Sequence, residues 1–185
     1  ALVGVLTLAY LLALMVGLLA MAPLFSRFGK RNTMIGGSII SIIGCLIIMI
    51  NPTSLFVVVV AQIVKGLGQA SLTGALWALL PDTIEYGEWK TGIRNEGVLY
   101  SGGSMGQKIG NGLGMAFIGW VLSWGGYNGM LSVQPDSAIT SIYTIFIYLP
   151  IVIFVAQIIL LYFYKLDKVY PKIAADLEAK NEGLR

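Results

Sequence analysis

Five continuous apolar stretches, at about residues 1–23, 33–50, 54–80, 97–123 and 138–163, constrain this chain more than any other feature. Each is long enough to cross a bilayer as an α-helix, which takes roughly 20 mostly apolar residues. Backbone in hydrocarbon must satisfy its own N–H and C=O groups, so only helices and closed barrels can span. The runs are continuous rather than alternating, which excludes the barrel. The expected fold is an all-α integral membrane bundle of five transmembrane helices over residues 1–164, with a cytoplasmic tail at 165–185. A mean hydropathy of +0.82, with 57% hydrophobic and 11% charged residues, excludes an ordinary soluble domain. Ala1 opens inside an apolar run without a basic leader, so the chain reads as a piece of a longer protein rather than as a signal peptide.

Charge placement sets the expected orientation. Arg27, Lys30 and Arg31 share one short connection, Lys90 and Arg94 another, and Lys165, Lys168, Lys172, Lys180 and Arg185 crowd the tail. The connections at Asn51-Pro52-Thr53 and from Ser123 to Ser137 carry no Lys or Arg, and of the twelve basic residues only Lys65 and Lys108 fall inside spans. Basic loops stay cytoplasmic. The expectation is a multi-pass protein of the plasma (inner) membrane, N-terminus outside and C-terminus cytoplasmic. The net charge of +3 then needs no nucleic acid as partner. Trp120, Trp124 and Tyr127 suit the outer interface, and Tyr162 and Tyr164 the inner one. Pro150 is expected to kink the last span. Val169, Ile173 and Leu177, spaced four apart, make the tail an amphipathic inner-surface helix. Cys45 is the only cysteine and histidine is absent, which excludes disulfides, zinc clusters and a Cys–His nucleophile.

Two spans carry polar faces. On a helix from Tyr100 onward, Gly102, Gly106, Gly110 and Gly114 form one stripe, expected to receive another backbone. Tyr100, Ser101, Ser104, Gln107, Lys108 and Asn111 share the other side. In the third span, Gln62, Lys65, Gln69 and Thr73 fall on one face, and Trp77 continues its edge by one turn. Such faces are costly against lipid and suit a wet cavity, although Ser, Gln and Asn also serve simply to hold helices together. No carboxylate lies in either span. The two lysines must therefore meet water, a substrate or carboxylates from elsewhere, and the chain reads as half of a cavity.

The stretch from Asp82 to Glu96, expected as a loop, is dense in charge. Asp82, Glu85 and Glu88 stand three apart, so a divalent metal and a membrane enzyme working at the inner surface are one reading. The favoured reading has no metal: Asp82, Glu85, Glu88, Arg94 and Glu96 form a cytoplasmic ion-pair network that serves as a gate. A third reading is a non-transporting bundle assembled through the glycine stripe.

The wording D-T-I-E-Y-G-E-W-K-T-G-I-R-N-E-G from Asp82, then Tyr100-Ser101 and Lys108, resembles the glycoside-pentoside-hexuronide:cation symporters of the major facilitator superfamily. P-L-x-x-R-x-G-K-R at Pro23 to Arg31 and K-L-D-x-x-Y-x-x-I from Lys165 fit the same family, and the likeness covers nearly the whole chain. It implies helices 8–12 of a twelve-helix transporter, with helix 7 and the N-terminal half lying outside this sequence. It also implies that Lys108 lies at the cation and sugar site and that Ser104 lines the same cavity. In melibiose carriers an aromatic that contacts the sugar matches Thr73, where this sequence departs, and Trp77 is displaced by one turn. Expected partners are a sugar or glycoside, the bilayer and the N-terminal half. No cofactor is expected beyond a coupling ion, H+ or Na+, bound mainly by aspartates of that other half. The implied activity is cation-coupled sugar uptake and not an enzymatic reaction.

Overall fold

The computed structural model describes residues 2–131 and 133–182, so Arg185 of the tail lies outside the described residues. The elements are helices α1 (Leu2–Leu19), α2 (Met21–Phe28), α3 (Lys30–Ile50), α4 (Leu55–Thr91), α5 (Glu96–Trp124) and α6 (Asp136–Tyr143). A π-helical turn (Thr144–Tyr148) then leads into α7 (Leu149–Phe163), and α8 (Leu166–Glu182) closes the chain. The described residues contain no strand, as expected of an all-α bundle.

Boundaries depart from expectation at Pro23 and in the charged stretch after Pro81. Pro23 does not end the first span; lacking an N–H, it leaves the Leu19 carbonyl without its donor, and the helix breaks at Ala20 and resumes as α2. Gly29, at φ 78°, is the single residue between α2 and α3. The stretch Asp82–Thr91, expected as a loop, continues α4, a helix of 37 residues with Pro81 inside it. At 1.5 Å per residue this helix is about 55 Å long and overruns a hydrocarbon core of roughly 30 Å. It stops at Gly92, whose left-handed backbone (φ 73°) lets its N–H cap the Glu88 carbonyl at 2.8 Å.

Four helical segments are long and apolar enough to cross a membrane by length and composition: Leu2–Leu19, Lys30–Ile50, Leu55–Thr91 and Asp136–Phe163. The fifth expected span, α5, has the length at 29 residues, but glycines and amides dilute its apolar character. The turn preceding Pro150, where a kink is expected, is π-helical, with the Leu149 N–H reaching back to the Thr144 carbonyl.

The close-packed seam lies elsewhere than the sequence suggested. A Cβ added at Gly102, Gly106, Gly110 or Gly114 would meet nothing within 4 Å among the described residues. Backbone instead presses on backbone where α4 meets α3 and α1. A Cβ at Gly68 would lie 2.5 Å from the Gly37 carbonyl oxygen, and one at Gly66 would lie 2.5 Å from that of Tyr10. Buried Ser38, Ser41 and Ser71 line the α3–α4 contact, and small residues here let the helices approach. Cys45, Ile48 and Ala61 continue this core to Ile147 and Phe154 of the last span. At the charged end of the bundle α8 lies on α4, with Ile173 fully buried and Leu177 nearly so, while Val169 stays 40% exposed.

Candidate functional site

The polar face of α4 opens into a cavity of about 490 Å³ between α1, α4 and the last span. Thr7 and Tyr10 come from α1, Gln62, Lys65 and Gln69 from α4, and Phe146, Pro150 and Phe154 from the last span. The face arises because Gln62, Lys65 and Gln69 recur at three and four residues, while the small residues of α4 turn toward α1 and α3. Lys65 is not without a partner, contrary to expectation: its Nζ donates to the Phe146 carbonyl at 3.5 Å. That carbonyl belongs to the π-helical turn before Pro150, in which the Leu149 N–H reaches five residues back to the Thr144 carbonyl. Thr73, half-buried, and Trp77, 49% exposed, are not among the residues lining this cavity.

The α5 residues expected in the same cavity lie apart. Tyr100, Gln107, Lys108 and Asn111 are exposed and Ser104 is partly so. Among the described residues no hydrogen bond, ion pair or pocket joins Lys108 to Lys65. A contact between α5 and α4 lies near the charged end of α4, where a Cβ at Gly103 would be 3.3 Å from Leu80. The structure therefore does not bring the two expected halves of the polar site together within these residues.

The charged end of the bundle, where α2, α3, α4 and α8 meet, divides into separate groups. Asp82 does not meet Arg94; Lys30 donates to both its carboxylate oxygens, at 2.7 and 2.6 Å, and to the Ala78 carbonyl at 2.9 Å, on the turn that Pro81 interrupts. Arg94 pairs with Glu88 at 2.9 Å and Glu96 at 2.6 Å, bridging the end of α4 to the start of α5. Its hydrogen bonds to Glu96 first, and to Glu88, hold the guanidinium still more firmly protonated. Glu85 accepts from the Tyr170 hydroxyl at 2.8 Å, and Asp176 accepts from the Trp89 indole at 2.8 Å. Burial first, then the Glu85 hydrogen bond, pushes the Tyr170 phenol up from its ordinary value. Arg31 completes the clamp, donating to the Leu161 and Tyr162 carbonyls, while its backbone N–H donates to Asp167 at 2.7 Å.

Asp82, Glu85 and Glu88 thus point to three different partners, and among the described residues no group of three or more His, Cys, Asp or Glu side chains could hold a metal. Tyr164, expected at the inner interface, instead buries its hydroxyl, which has no partner among the described residues. The Lys30–Asp82 pair escaped the sequence reading although both residues stood in singled-out stretches; nothing local to either names the other. Tyr10 and Thr7, three apart on an otherwise apolar helix, were the available signal for the α1 wall.

The chain is similar to proteins whose names describe carriers. The family described as MFS/sugar transport protein matches residues 1–168. An isoprimeverose transporter of Lactiplantibacillus pentosus is 41% identical over 157 residues, 84% of this chain and 33% of the relative. A glucuronide carrier protein homolog of Escherichia coli (strain K12) is 32% identical over 185 residues, 97% of this chain and 40% of the relative. An uncharacterized symporter, YnaJ, of Bacillus subtilis (strain 168) is 30% identical over 168 residues, 89% of this chain and 36% of the relative. The chain spans 33% to 40% of the length of these curated relatives.

Proposed function

The chain belongs to the MFS/sugar transport protein family of the major facilitator superfamily, and on that premise we propose that it supplies the C-terminal bundle of a secondary transporter carrying a sugar or glycoside with H+ or Na+. The observation that carries this reading is the polar face Gln62, Lys65 and Gln69 turned into a cavity within otherwise apolar spans. Polar and charged side chains at membrane depth mark a substrate or ion path rather than a packing surface. The names of the relatives, an isoprimeverose transporter and a glucuronide carrier homolog, support a glycoside, and the name symporter supports coupling.

In this reading the remaining helices of the full-length protein pack against α5, and its strip Tyr100, Ser104, Gln107, Lys108 and Asn111 then faces the common cavity together with Lys65 and Gln69. Thr73 and Trp77 continue the α4 face toward the inner end. The cation is held mainly by carboxylates of the other half, with Lys108 as their counter-charge. Arg94 with Glu88 and Glu96, and Glu85 with Tyr170, form an inner gate with Asp82 and Lys30 behind it. The N-terminus of α1 lies outside and α8 lies at the cytoplasmic surface of the inner membrane, an orientation supported by the basic residues gathered at Arg27–Arg31 and along α8. The test is uptake of radiolabelled glycosides by vesicles carrying the full-length protein: accumulation above equilibrium that collapses with a protonophore or on Na+ removal supports the reading. Passive equilibration only, or no uptake of any glycoside, refutes it.

A further inference from the structure

We propose that one anionic phospholipid is held at the charged end of the bundle, with its phosphate among Arg31, Lys165 and Lys168 and an acyl chain in the groove between α1–α2 and α3. Two cavities adjoin there, and Phe28 and Asn32 line both. The first, of about 410 Å³, is a groove with no charged residue in its lining. It opens where α1 breaks at Ala20, between Met21 and Leu24 on one side and Gly36 and Ile40 on the other, with Leu67 of α4 behind them. A Cβ at Gly36 would meet nothing within 4 Å, so the space beside it is empty. Along α3 the groove runs from Asn32 to Ile40, about 12 Å at 1.5 Å per residue, which suits a chain lying parallel to the helices. The second cavity, of about 230 Å³, is lined by Arg31, Lys165 and Lys168, with Asp167 as its one carboxylate. Asp167 is already engaged, accepting the Arg31 backbone N–H at 2.7 Å. Arg31 gives two of its side-chain nitrogens to the Leu161 and Tyr162 carbonyls, and a guanidinium with five N–H donors keeps others. Lys165 and Lys168 are exposed and make no hydrogen bond or ion pair among the described residues. Three cations against one carboxylate leave this recess positive. It lies where the spans end, since α3 starts at Lys30 and α7 stops at Phe163, which is the level of lipid headgroups. Basic recesses between spanning helices suit anionic headgroups, and a soluble anion would leave the adjoining apolar groove unused. The site depends on the bundle lying in a bilayer and not on what the bundle carries.

The test counts lipids retained by the purified full-length protein, by native mass spectrometry from detergent holding equimolar dioleoyl phosphatidylglycerol and dioleoyl phosphatidylcholine. The expected result is one phosphatidylglycerol retained in preference to phosphatidylcholine by about fivefold or more, the effect of about one lysine at a lipid surface. Lys165→Gln combined with Lys168→Gln is expected to bring that ratio to within about twofold of unity. Gly36→Leu fills the groove and is expected to lower the retained phosphatidylglycerol severalfold. Unfolding temperatures show that the variants are folded, and the two lysines, being exposed, keep the test decisive should Gly36→Leu fail to fold. Excess glycerol 3-phosphate, a headgroup phosphate without chains, is expected to leave the lipid in place. Equal retention of the two lipids by wild type overturns the proposal, as does a preference that survives in the folded double-lysine variant. Retention by folded Gly36→Leu equal to that of wild type shows that the groove holds no chain and also overturns it. Displacement of the lipid by glycerol 3-phosphate shows a site for soluble phosphate esters instead. If a helix of the full-length protein fills the groove, wild type shows no lipid preference and Gly36→Leu lowers the unfolding temperature, and the proposal falls.

Discussion

The ammonium of Lys30 and the carboxylate of Asp82 form a two-oxygen ion pair, at 2.7 and 2.6 Å, across 52 residues of chain. The Asp82 side chain is only 4% exposed. With the Ala78 carbonyl as third acceptor, every Lys30 proton is used, and the start of α3 is pinned to the middle of the Pro81-interrupted turn of α4.

Removing one partner strands the other. Lys30→Met leaves a buried carboxylate uncompensated and is expected to cost about 3 to 5 kcal/mol, whereas Lys30→Met with Asp82→Leu recovers most of the loss. Unfolding of the full-length protein in detergent checks the order. A double variant as unstable as the single would show that the pair supplies more than charge compensation.

The packing seam makes a paired prediction. A Cβ at Gly68 would press on the Gly37 carbonyl and on the Ser41 backbone nitrogen, at 2.5 and 2.6 Å. Gly68→Ala is therefore expected to destabilise by about 1 to 3 kcal/mol, as overpacking does. Gly110→Ala, at a site open among these residues, is expected to gain helix propensity and to cost stability only if a helix of the full-length protein packs on this stripe. Thermal unfolding of both variants decides whether the working glycines are those of α3 and α4.

How much of this was legible follows from where each signal resides. Continuous apolar runs marked the helices because burial in lipid is written in every residue of a span. Asp82–Thr91 was misread because charge there was taken for loop, although Glu85, Glu88 and Lys90 are good helix formers and Gly92 was a legible stop. The glycine stripe of α5 has no neighbour among the described residues, because periodicity names a face but not its neighbour. Lys65 looked partnerless because an inventory of side chains omits backbone carbonyls such as that of Phe146. The distribution of Asp82, Glu85 and Glu88 among Lys30, Tyr170 and Arg94 depends on how α3 and α8 dock, which no local pattern encodes.

Tyr170 gives a prediction in pH. Its phenol titrates above the ordinary value of about 10, because burial and the Glu85 carboxylate disfavour phenolate. Its contribution to stability is complete below that ordinary value and is lost only as pH rises through the higher folded one. Ultraviolet titration of wild type against Tyr170→Phe should therefore show the missing tyrosine ionising late. A difference spectrum centred at the ordinary value would show that α8 does not hold its phenol against Glu85.

Arg94 separates gating from stability. It is exposed and its pairs with Glu88 and Glu96 lie at the surface, so Arg94→Gln should leave the unfolding temperature within a degree or two, roughly the effect of a lost surface pair. In the full-length protein it should slow turnover while leaving glycoside affinity at the outer face within a few fold, about the bias a gate supplies. Unchanged turnover would show that the pair merely joins α4 to α5.

The most direct measurement of the central claim is accumulation of a radiolabelled glycoside by energised vesicles carrying the full-length protein, wild type against Lys108→Ala. Lys108 is exposed on α5 among these residues, and the membrane abundance of Lys108→Ala is measured alongside so that accumulation is compared per molecule of transporter. The account predicts that wild type accumulates the glycoside above equilibrium in a cation-dependent way and that Lys108→Ala does not accumulate it. Accumulation by Lys108→Ala with unchanged cation dependence would contradict the account.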